Sequence, residues 1–287
     1  MKVIFLSSKY YPDKNANYGD CFLIDSGSEL TIYDCGSEEH ADRVIEYMND
    51  NCYDNAKLVL SHNDSDHFDG IPKLIEAGLI SDVYTLLLLK YKDELLDRIN
   101  DKRITRDSLN DRIEEIYSNI YSLSGSNLHD MFEDTTINNA VKIVGPDKEY
   151  ALDAVAKGID NRQGDTIDSE TIVNAVSCQV KVTVGVNKLL LRGDSNYEAI
   201  QDKLDDYSLI QLPHHGKLIH AEKIFESKDP TRTVYYVSDN TGSTNGGSDD
   251  LPKRGQKIHN TKDGDQVCSD DTPVITLPTH HTLGIKL

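Results

Sequence analysis

Two imidazoles and two carboxylates crowd one short run, Ser61-His62-Asn63-Asp64-Ser65-Asp66-His67-Phe68-Asp69-Gly70. His62, Asp64, Asp66 and His67 are all metal-capable. Repulsion between Asp64 and Asp66, added to the cost of desolvating both, destabilises such a run unless a cation lies between them. A solvated acidic turn is the plain alternative for this run taken alone. Two later segments argue against it: Leu191-Arg192-Gly193-Asp194-Ser195 and Leu212-Pro213-His214-His215-Gly216. Together they add Asp194, His214 and His215. Divalent metals of borderline or hard character take such nitrogen and oxygen donors. Two of them about 3.5–4 Å apart, sharing a carboxylate and a hydroxide, form a recurring hydrolytic device.

Each cluster follows an apolar, β-prone run. These are Lys57-Leu58-Val59-Leu60, Lys188-Leu189-Leu190-Leu191 and Tyr207-Ser208-Leu209-Ile210-Gln211-Leu212. Three strands lying side by side bring all the groups to one sheet edge. Segments rich in β-branched residues alternate with helical patterns elsewhere, which predicts a mixed α/β fold. A chain of 287 residues can bury a large core, and no repeat or linker-like stretch divides it, so residues 1–287 are read as a single domain. The opening Met1-Lys2-Val3-Ile4-Phe5-Leu6-Ser7 reads as the first strand rather than a signal peptide. No apolar run approaches the roughly 18 residues of a transmembrane helix.

At this point the chain resembles a known family. His62-x-Asp64-x-Asp66-His67, then Asp194, then His214, is similar to the ligand motifs of metallo-β-lactamase-fold hydrolases, whose first motif is His-x-His-x-Asp-His. Tyr18-Gly19-Asp20-Cys21-Phe22-Leu23-Ile24 and Thr31-Ile32-Tyr33-Asp34-Cys35-Gly36 look like that fold's opening hairpin. Gly-Asp-Cys, Gly-Asp-Ser and Leu-Pro-His-His-Gly most resemble the hydrolase domain of ComEC-type DNA-uptake proteins and their stand-alone soluble relatives. The motifs run from Gly19 to Gly216, with weaker echoes to the C-terminus.

The resemblance implies an αββα four-layer sandwich holding two divalent metal ions, Mn or Zn. One site would be Asp66, His67, His214 and a bridging Asp194; the other His62, Asp64 and Asp194, completed by water or substrate. A metal-bridging hydroxide, oriented by Asp66, would attack phosphorus in line. The expected substrate is a phosphodiester, in a nucleotide or nucleic acid. Asp20 and Asp34 would orient ligand imidazoles from behind. His215 is expected to contact substrate or protonate the leaving group, and Lys217, which replaces the Ser usual in the relatives, to hold a phosphate. Two departures stand out. Asp64 occupies the place of the family's second histidine. His129, the only histidine between His67 and Asp194, sits in the polar stretch Ser124-Gly125-Ser126-Asn127-Leu128-His129, not at an evident strand end. One nitrogen and two carboxylates in the second site favour manganese or magnesium over tetrahedral zinc. The rival functions are a lactonase, β-lactamase or thioester hydrolase of the same fold, and a non-catalytic binding or effector module whose metal site has decayed at position 64.

Charge and cysteines narrow the setting. The formal net charge is −19 with no basic block, so broad duplex binding through Lys and Arg is disfavoured unless the fold assembles a local patch. A small anionic substrate guided by bound cations is easier to reconcile. The five dispersed cysteines, without a Cys-x-x-Cys, predict reduced thiols in a cytoplasmic protein. Residues 90–135 are highly charged. Leu109, Ile113, Ile116 and Ile120 recur at helical spacing behind a cap at Asp107 or Ser108, and Leu95 and Ile99 suggest a preceding helix. This predicts a helical insertion with a narrow apolar stripe: two surface helices laid on the core, a cap over the site, or a homodimer surface. Ser238 to Ser248 reads as loop. His40, His220 and His259 lack a metal-like context and are expected at the surface. His280 and His281, in a last strand-like segment, point to opposite faces.

Overall fold

Alternate residues of the strand Asn187–Leu191 face two different apolar clusters. Leu189 and Leu191 enter the larger cluster, while Leu190 enters a smaller one. The strand Val234–Val237 divides in the same way: Val234 and Tyr236 go one way, Tyr235 and Val237 the other. A sheet covered on both faces needs apolar residues on both, which is why these strands read as continuous apolar runs rather than alternating ones.

The computed structural model describes residues 1–123, 127–161, 166–167, 170–242, 247–251 and 255–271. In the first half, β1 (Lys2–Phe5), β2 (Phe22–Asp25), β3 (Leu30–Tyr33), β4 (Ala56–Val59), β5 (Ile80–Thr85) and β6 (Asn127–Asp130) alternate with α1 (Glu38–Asp50), α2 (Ser65–Phe68), α3 (Ile71–Glu76), α4 (Lys92–Arg98) and α5 (Arg106–Tyr121). In the second half follow β7 (Val141–Gly145), α6 (Lys148–Asn161), β8 (Thr166–Ile167), β9 (Glu170–Thr171), α7 (Ile172–Ala175), β10 (Gln179–Val184), β11 (Asn187–Leu191), β12 (Leu209–Gln211), α8 (Leu218–Ser227), β13 (Val234–Val237), β14 (Lys257–Asn260) and β15 (Gln266–Ser269). One sheet has the order β15-β1-β2-β3-β4-β5-β6, the other β14-β13-β12-β11-β10-β7. The two pack face to face: Phe5 of the first stacks on Tyr236 of the second at 4.7 Å, and Tyr33 Oη donates to the Cys178 carbonyl at 2.6 Å.

β3, β4, β5 and β6 run parallel, as do β11, β12, β13 and β14. Their carboxyl ends therefore open on one rim, the usual place for a site in sheets of this kind. The three apolar runs of the sequence are β4, β11 and β12, but they do not lie side by side: β4 belongs to the first sheet and β11 and β12 to the second, so their ends meet across the two packed sheets and not at one sheet edge. The opening hairpin is the antiparallel pair β2–β3. Local signals explain the helices. Ser37 caps α1 by accepting from the His40 backbone, and α1 buries Ala41, Val44 and Met48 along one face.

Residues 90–135 differ from expectation in three respects. The cap of α5 is Thr105, which forms a reciprocal capping box with Ser108, so the helix begins before Asp107. The C-terminal part of the segment is β6, an edge strand of the first sheet, and carries His129. The stripe is not marginal either. Leu95, Ile99, Leu109, Ile113, Tyr117 and Ile120 all belong to the main buried cluster, while Ile116 is 38% exposed. Tyr117 takes the core position because α5 departs from helical geometry there (φ −113°, ψ 18°).

Candidate metal centre

β4 ends at Val59 and delivers Ser61 and His62. β3 ends at Tyr33 and delivers Asp34. β11 delivers Asp194, β12 delivers His214 and His215, and the one-turn helix α2 carries Asp66 and His67. His62, His67 and Asp194 are all buried, and one ligand atom from each lies within 4.8 Å of the others. Asp66, His67 and His215 form a second such group, and Asp20, Asp34 and His67 a third.

Behind the centre each imidazole is fixed by a named partner. Asp34 accepts from the Ser61 backbone at 2.6 Å, from Ser61 Oγ at 2.7 Å and from His67 Nδ1 at 2.8 Å. With Nδ1 committed to Asp34, His67 turns Nε2 toward Asp194 Oδ1 at 3.4 Å. His62 Nδ1 is met by the hydroxyls of Ser61 and Ser177 at 2.9 and 3.2 Å, so its Nε2 faces inward, 4.0 Å from Asp194 Oδ2. His215 has Nδ1 on the Ser238 carbonyl at 3.0 Å and 3.3 Å from Asp20, and Nε2 on Asp66 Oδ2 at 3.0 Å. Asn17 holds the same Asp66 oxygen at 2.8 Å.

The backbone is bent to do this. Asp34, His214 and His215 have φ of 57°, 48° and 54°. Left-handed geometry at non-glycine residues costs about 1–3 kcal/mol each and persists only where the surroundings enforce it. Gly19 is required for a second reason: a Cβ there would lie 1.6 Å from the Asp66 carbonyl oxygen.

Electrostatics favour cations. Burial alone would lower the proton affinity of His67, but the carboxylates of Asp194 and Asp34 hold it well above the ordinary imidazole range. Burial likewise opposes ionisation of Asp194, yet His67 and His214 keep its carboxyl well below the usual range. Asp66 is also lowered, against its burial, by His215 and His67. Three buried atoms at the centre, His62 Nε2, His67 Nε2 and Asp194 Oδ1, have no hydrogen-bond partner among the described residues. Leaving buried polar atoms unsatisfied costs about 1–3 kcal/mol each. Two imidazole nitrogens and one carboxylate oxygen converge within 4.8 Å, and a divalent cation, displacing the proton that His67 otherwise carries, would satisfy all three, so these residues fit one.

The remaining candidates lie around this core. Asp64 is half-exposed, with Oδ2 3.7 Å from His62 Nε2. His214 is turned aside: its Nδ1 bonds Glu170 at 2.8 Å and lies 3.9 Å from Asp194 Oδ2. Lys217 Nζ, expected to hold a phosphate, also bonds Glu170, at 2.8 Å. His220 meets the same carboxylate at 3.0 Å. Glu170 is only 1% exposed and joins three residues of the His214–His220 segment; nothing in its local sequence marks it. His40 and His220, expected at the surface, are fully buried, because each satisfies its ring nitrogens internally: His40 with Tyr11 and Gly19, His220 with Glu170 and the Tyr197 backbone. His259 is exposed. His129 lies between Asp82 and Asp134 at 2.8 and 3.1 Å, stacked on Tyr84, on the edge strand. Among the described residues no cysteine is in a disulfide: Cys21, Cys35, Cys178 and Cys268 are buried thiols and Cys52 is an exposed one. His280 and His281 lie outside the described residues.

The architecture and the rim of clustered His and Asp define the metallo-β-lactamase fold. The chain is similar to Tm1679, described as a metal-dependent hydrolase of the β-lactamase superfamily, with a TM-score of 0.51, 13% identity, and coverage of 94% of this chain and 99% of that one. It is also similar to the metallo-β-lactamase fold protein YhfI from Bacillus subtilis, with a TM-score of 0.49, 13% identity, and coverage of 93% and 98%. At 13% identity the likeness to Tm1679 bears on the fold alone. No family profile and no curated protein matches the chain. No helix among the described residues is long and apolar enough to cross a membrane.

Proposed function

We propose that the chain is a metal-dependent phosphodiesterase, nearest in its motifs to the ComEC-type hydrolase domain. The observation that carries this reading is the buried donor set of His62 Nε2, His67 Nε2 and Asp194 Oδ1, within 4.8 Å and without hydrogen-bond partners among the described residues. These residues would hold one cation, with Asp66 and His215 adjoining; Asp64 and His214 stand at the edge of the same cluster. Divalent ions in such a place supply positive charge against the developing phosphoryl charge and lower the pKa of a bound water. The chain's own residues do the rest. Asp34 fixes the His67 tautomer, Ser61 and Ser177 fix His62, and Asp66 is held by Asn17 and His215 with its carboxylate toward the centre, where it orients the attacking oxygen. Manganese is the proposed metal, because Asp64, Asp66 and Asp194 make the surroundings oxygen-rich.

The test is turnover of bis-(p-nitrophenyl) phosphate by protein stripped with chelator and reloaded with metal, run beside nitrocefin and a lactone. Metal-dependent cleavage of the phosphodiester alone is expected. Cleavage of nitrocefin or the lactone without the phosphodiester replaces this reading by its same-fold rival, and no turnover despite bound metal favours a binding module.

A further inference from the structure

The sequence contains no basic block, but the fold assembles one. Lys9 and Lys14 lie on the loop between β1 and β2, and Lys262 follows β14. They meet at a cleft of about 300 Å³ that is also lined by Asp13, Tyr18, Asp239 and Thr261. Lys9 Nζ donates to the carbonyl of Asp263, 254 residues away, at 3.0 Å, and Lys14 Nζ donates to the Lys9 carbonyl. Carbonyl partners tether these side chains without cancelling their charge. Among the described residues neither forms an ion pair. Asp239, by contrast, is buried and already partnered: it accepts from Thr241 at 2.9 Å, from the Ser248 backbone at 3.1 Å and from Lys262 at 3.0 Å, and Lys262, which also pairs with Asp249 at 2.8 Å, adds no free charge to the cleft. Lys9 and Lys14 thus stand against the single exposed carboxylate of Asp13, and in a chain of formal net charge −19 a cleft with more ammonium than carboxylate outside ion pairs is an exception that favours an anion.

Beside the cleft stands Tyr10, 85% exposed, with Lys9 Nζ 5.7 Å from its ring centre. An aromatic face open to water next to a cationic groove is the combination on which nucleobases stack. The cleft also adjoins the metal centre through both its walls. On one wall, Asn17, between the lining residues Ala16 and Tyr18, holds Asp66. On the other, Ser238, next to the lining residue Asp239, holds His215 through its carbonyl, and the walls are tied by Tyr18 donating to the Asn240 carbonyl at 2.9 Å.

We propose that this cleft is an anion-binding subsite for the phosphate of one nucleotide unit flanking the scissile bond, with Tyr10 stacking on its base. It rests on the phosphodiesterase reading and extends it to substrate class: a nucleotide-containing phosphodiester rather than a simple phosphate ester. Ligand pockets begin at about 300 Å³, so the cleft suits a single unit and not a long tract.

The experiment measures anisotropy of a fluorescently labelled dinucleotide phosphorothioate, which resists hydrolysis, on metal-loaded protein, with adenosine monophosphate and inorganic phosphate as competitors. The variants are Lys9→Glu/Lys14→Glu and Tyr10→Ala, all at exposed positions and checked by their melts. The double variant is expected to weaken dinucleotide binding about tenfold or more, and Tyr10→Ala by about fivefold or more, as loss of one stacked base does. Cleavage of bis-(p-nitrophenyl) phosphate, which reaches only the centre, is expected to stay unchanged. The monophosphate should compete better than inorganic phosphate. Unchanged dinucleotide binding in the double variant overturns the subsite. Equal competition by inorganic phosphate, with Tyr10→Ala silent, overturns the nucleotide assignment and leaves a simple anion site. Lysine-dependent dinucleotide binding by a protein that cleaves no phosphodiester supports the subsite while removing the reaction assigned to the centre, so the two claims fail separately.

Discussion

Glu170 Oε2 lies 2.8 Å from His214 Nδ1, and the other oxygen of the same buried carboxylate takes Lys217 and His220. One carboxylate thus fixes the segment that supplies the last two histidines of the cluster. His214, His220 and Lys217 together keep the Glu170 carboxyl down at about 2, against a burial that would raise it. Glu170→Ala removes the acceptor that these three side chains share, and loss of such a support behind a metal centre typically costs 10–100-fold in metal affinity, or about 1.4–2.7 kcal/mol. Competition with a chromophoric chelator should show that loss, with a smaller one in Glu170→Gln. Wild-type affinity in Glu170→Ala would show that the carboxylate only packs the hairpin.

The segment carrying α4 and α5 is expected to be needed for folding. Leu109 and Ile113 are buried at 0% and 1% exposure within the main cluster. Asn63, beside His62, donates to the Ile116 carbonyl at 2.6 Å and receives from Asn119 at 3.2 Å, so α5 is also clamped to the loop of the centre. Truncating a buried Leu or Ile to Ala costs about 2–5 kcal/mol. Denaturant melts of Leu109→Ala and Ile113→Ala should show it. Losses below about 1 kcal/mol would restore the picture of surface helices laid on the core.

Much of the centre was legible because its residues sit where apolar runs end. Strand ends gather such groups, so His62, Asp66, His67 and Asp194 could be grouped without knowing the path of the chain, but they meet across two sheets, β4 in one and β11 in the other, and not along neighbouring strands of one. What the sequence hid was set by long-range geometry. Glu170 reaches His214 from 44 residues away. The left-handed turn at His214 and His215 decides which imidazole faces Asp66, and a pair of letters cannot show that. His40 and His220 looked like surface residues because their partners are backbone groups and a carboxylate distant in sequence. Tyr117, not Ile116, packs inward because of a break in α5 that a regular helical period does not anticipate.

His40 should give the protein an acid-side weakness. It is fully buried, with one ring nitrogen 2.7 Å from Tyr11 Oη and the other 3.2 Å from the Gly19 carbonyl. Burial lowers its pKa to about 4, whereas in the unfolded chain it titrates near about 6.5. The unfolded state therefore binds the proton first. Stability is full above pH about 6.5 and falls as the pH drops toward about 4, by up to about 1.4 kcal/mol per unit. His40→Gln should be less stable at neutral pH but flatter across that window in urea melts. An identical slope in both proteins would assign the acid sensitivity elsewhere.

Position 64 should influence metal choice. The Asp64 carboxylate lies 3.7 Å from His62 Nε2 and is half-exposed, so it can swing toward a cation. Asp64→His adds a nitrogen donor and should move the preference from manganese toward zinc. The readout is the ratio of the two dissociation constants by chelator competition. An unchanged ratio would mean that position 64 does not touch the metal.

The central claim is that His62, His67 and Asp194 hold a divalent cation. Elemental analysis after chelator stripping, reloading with manganese and desalting tests it directly, on the wild type beside Asp194→Ala. The account predicts bound metal in the wild type and loss of most of it in Asp194→Ala, with circular dichroism unchanged. Metal-free wild type, or full metal content in Asp194→Ala, would contradict it.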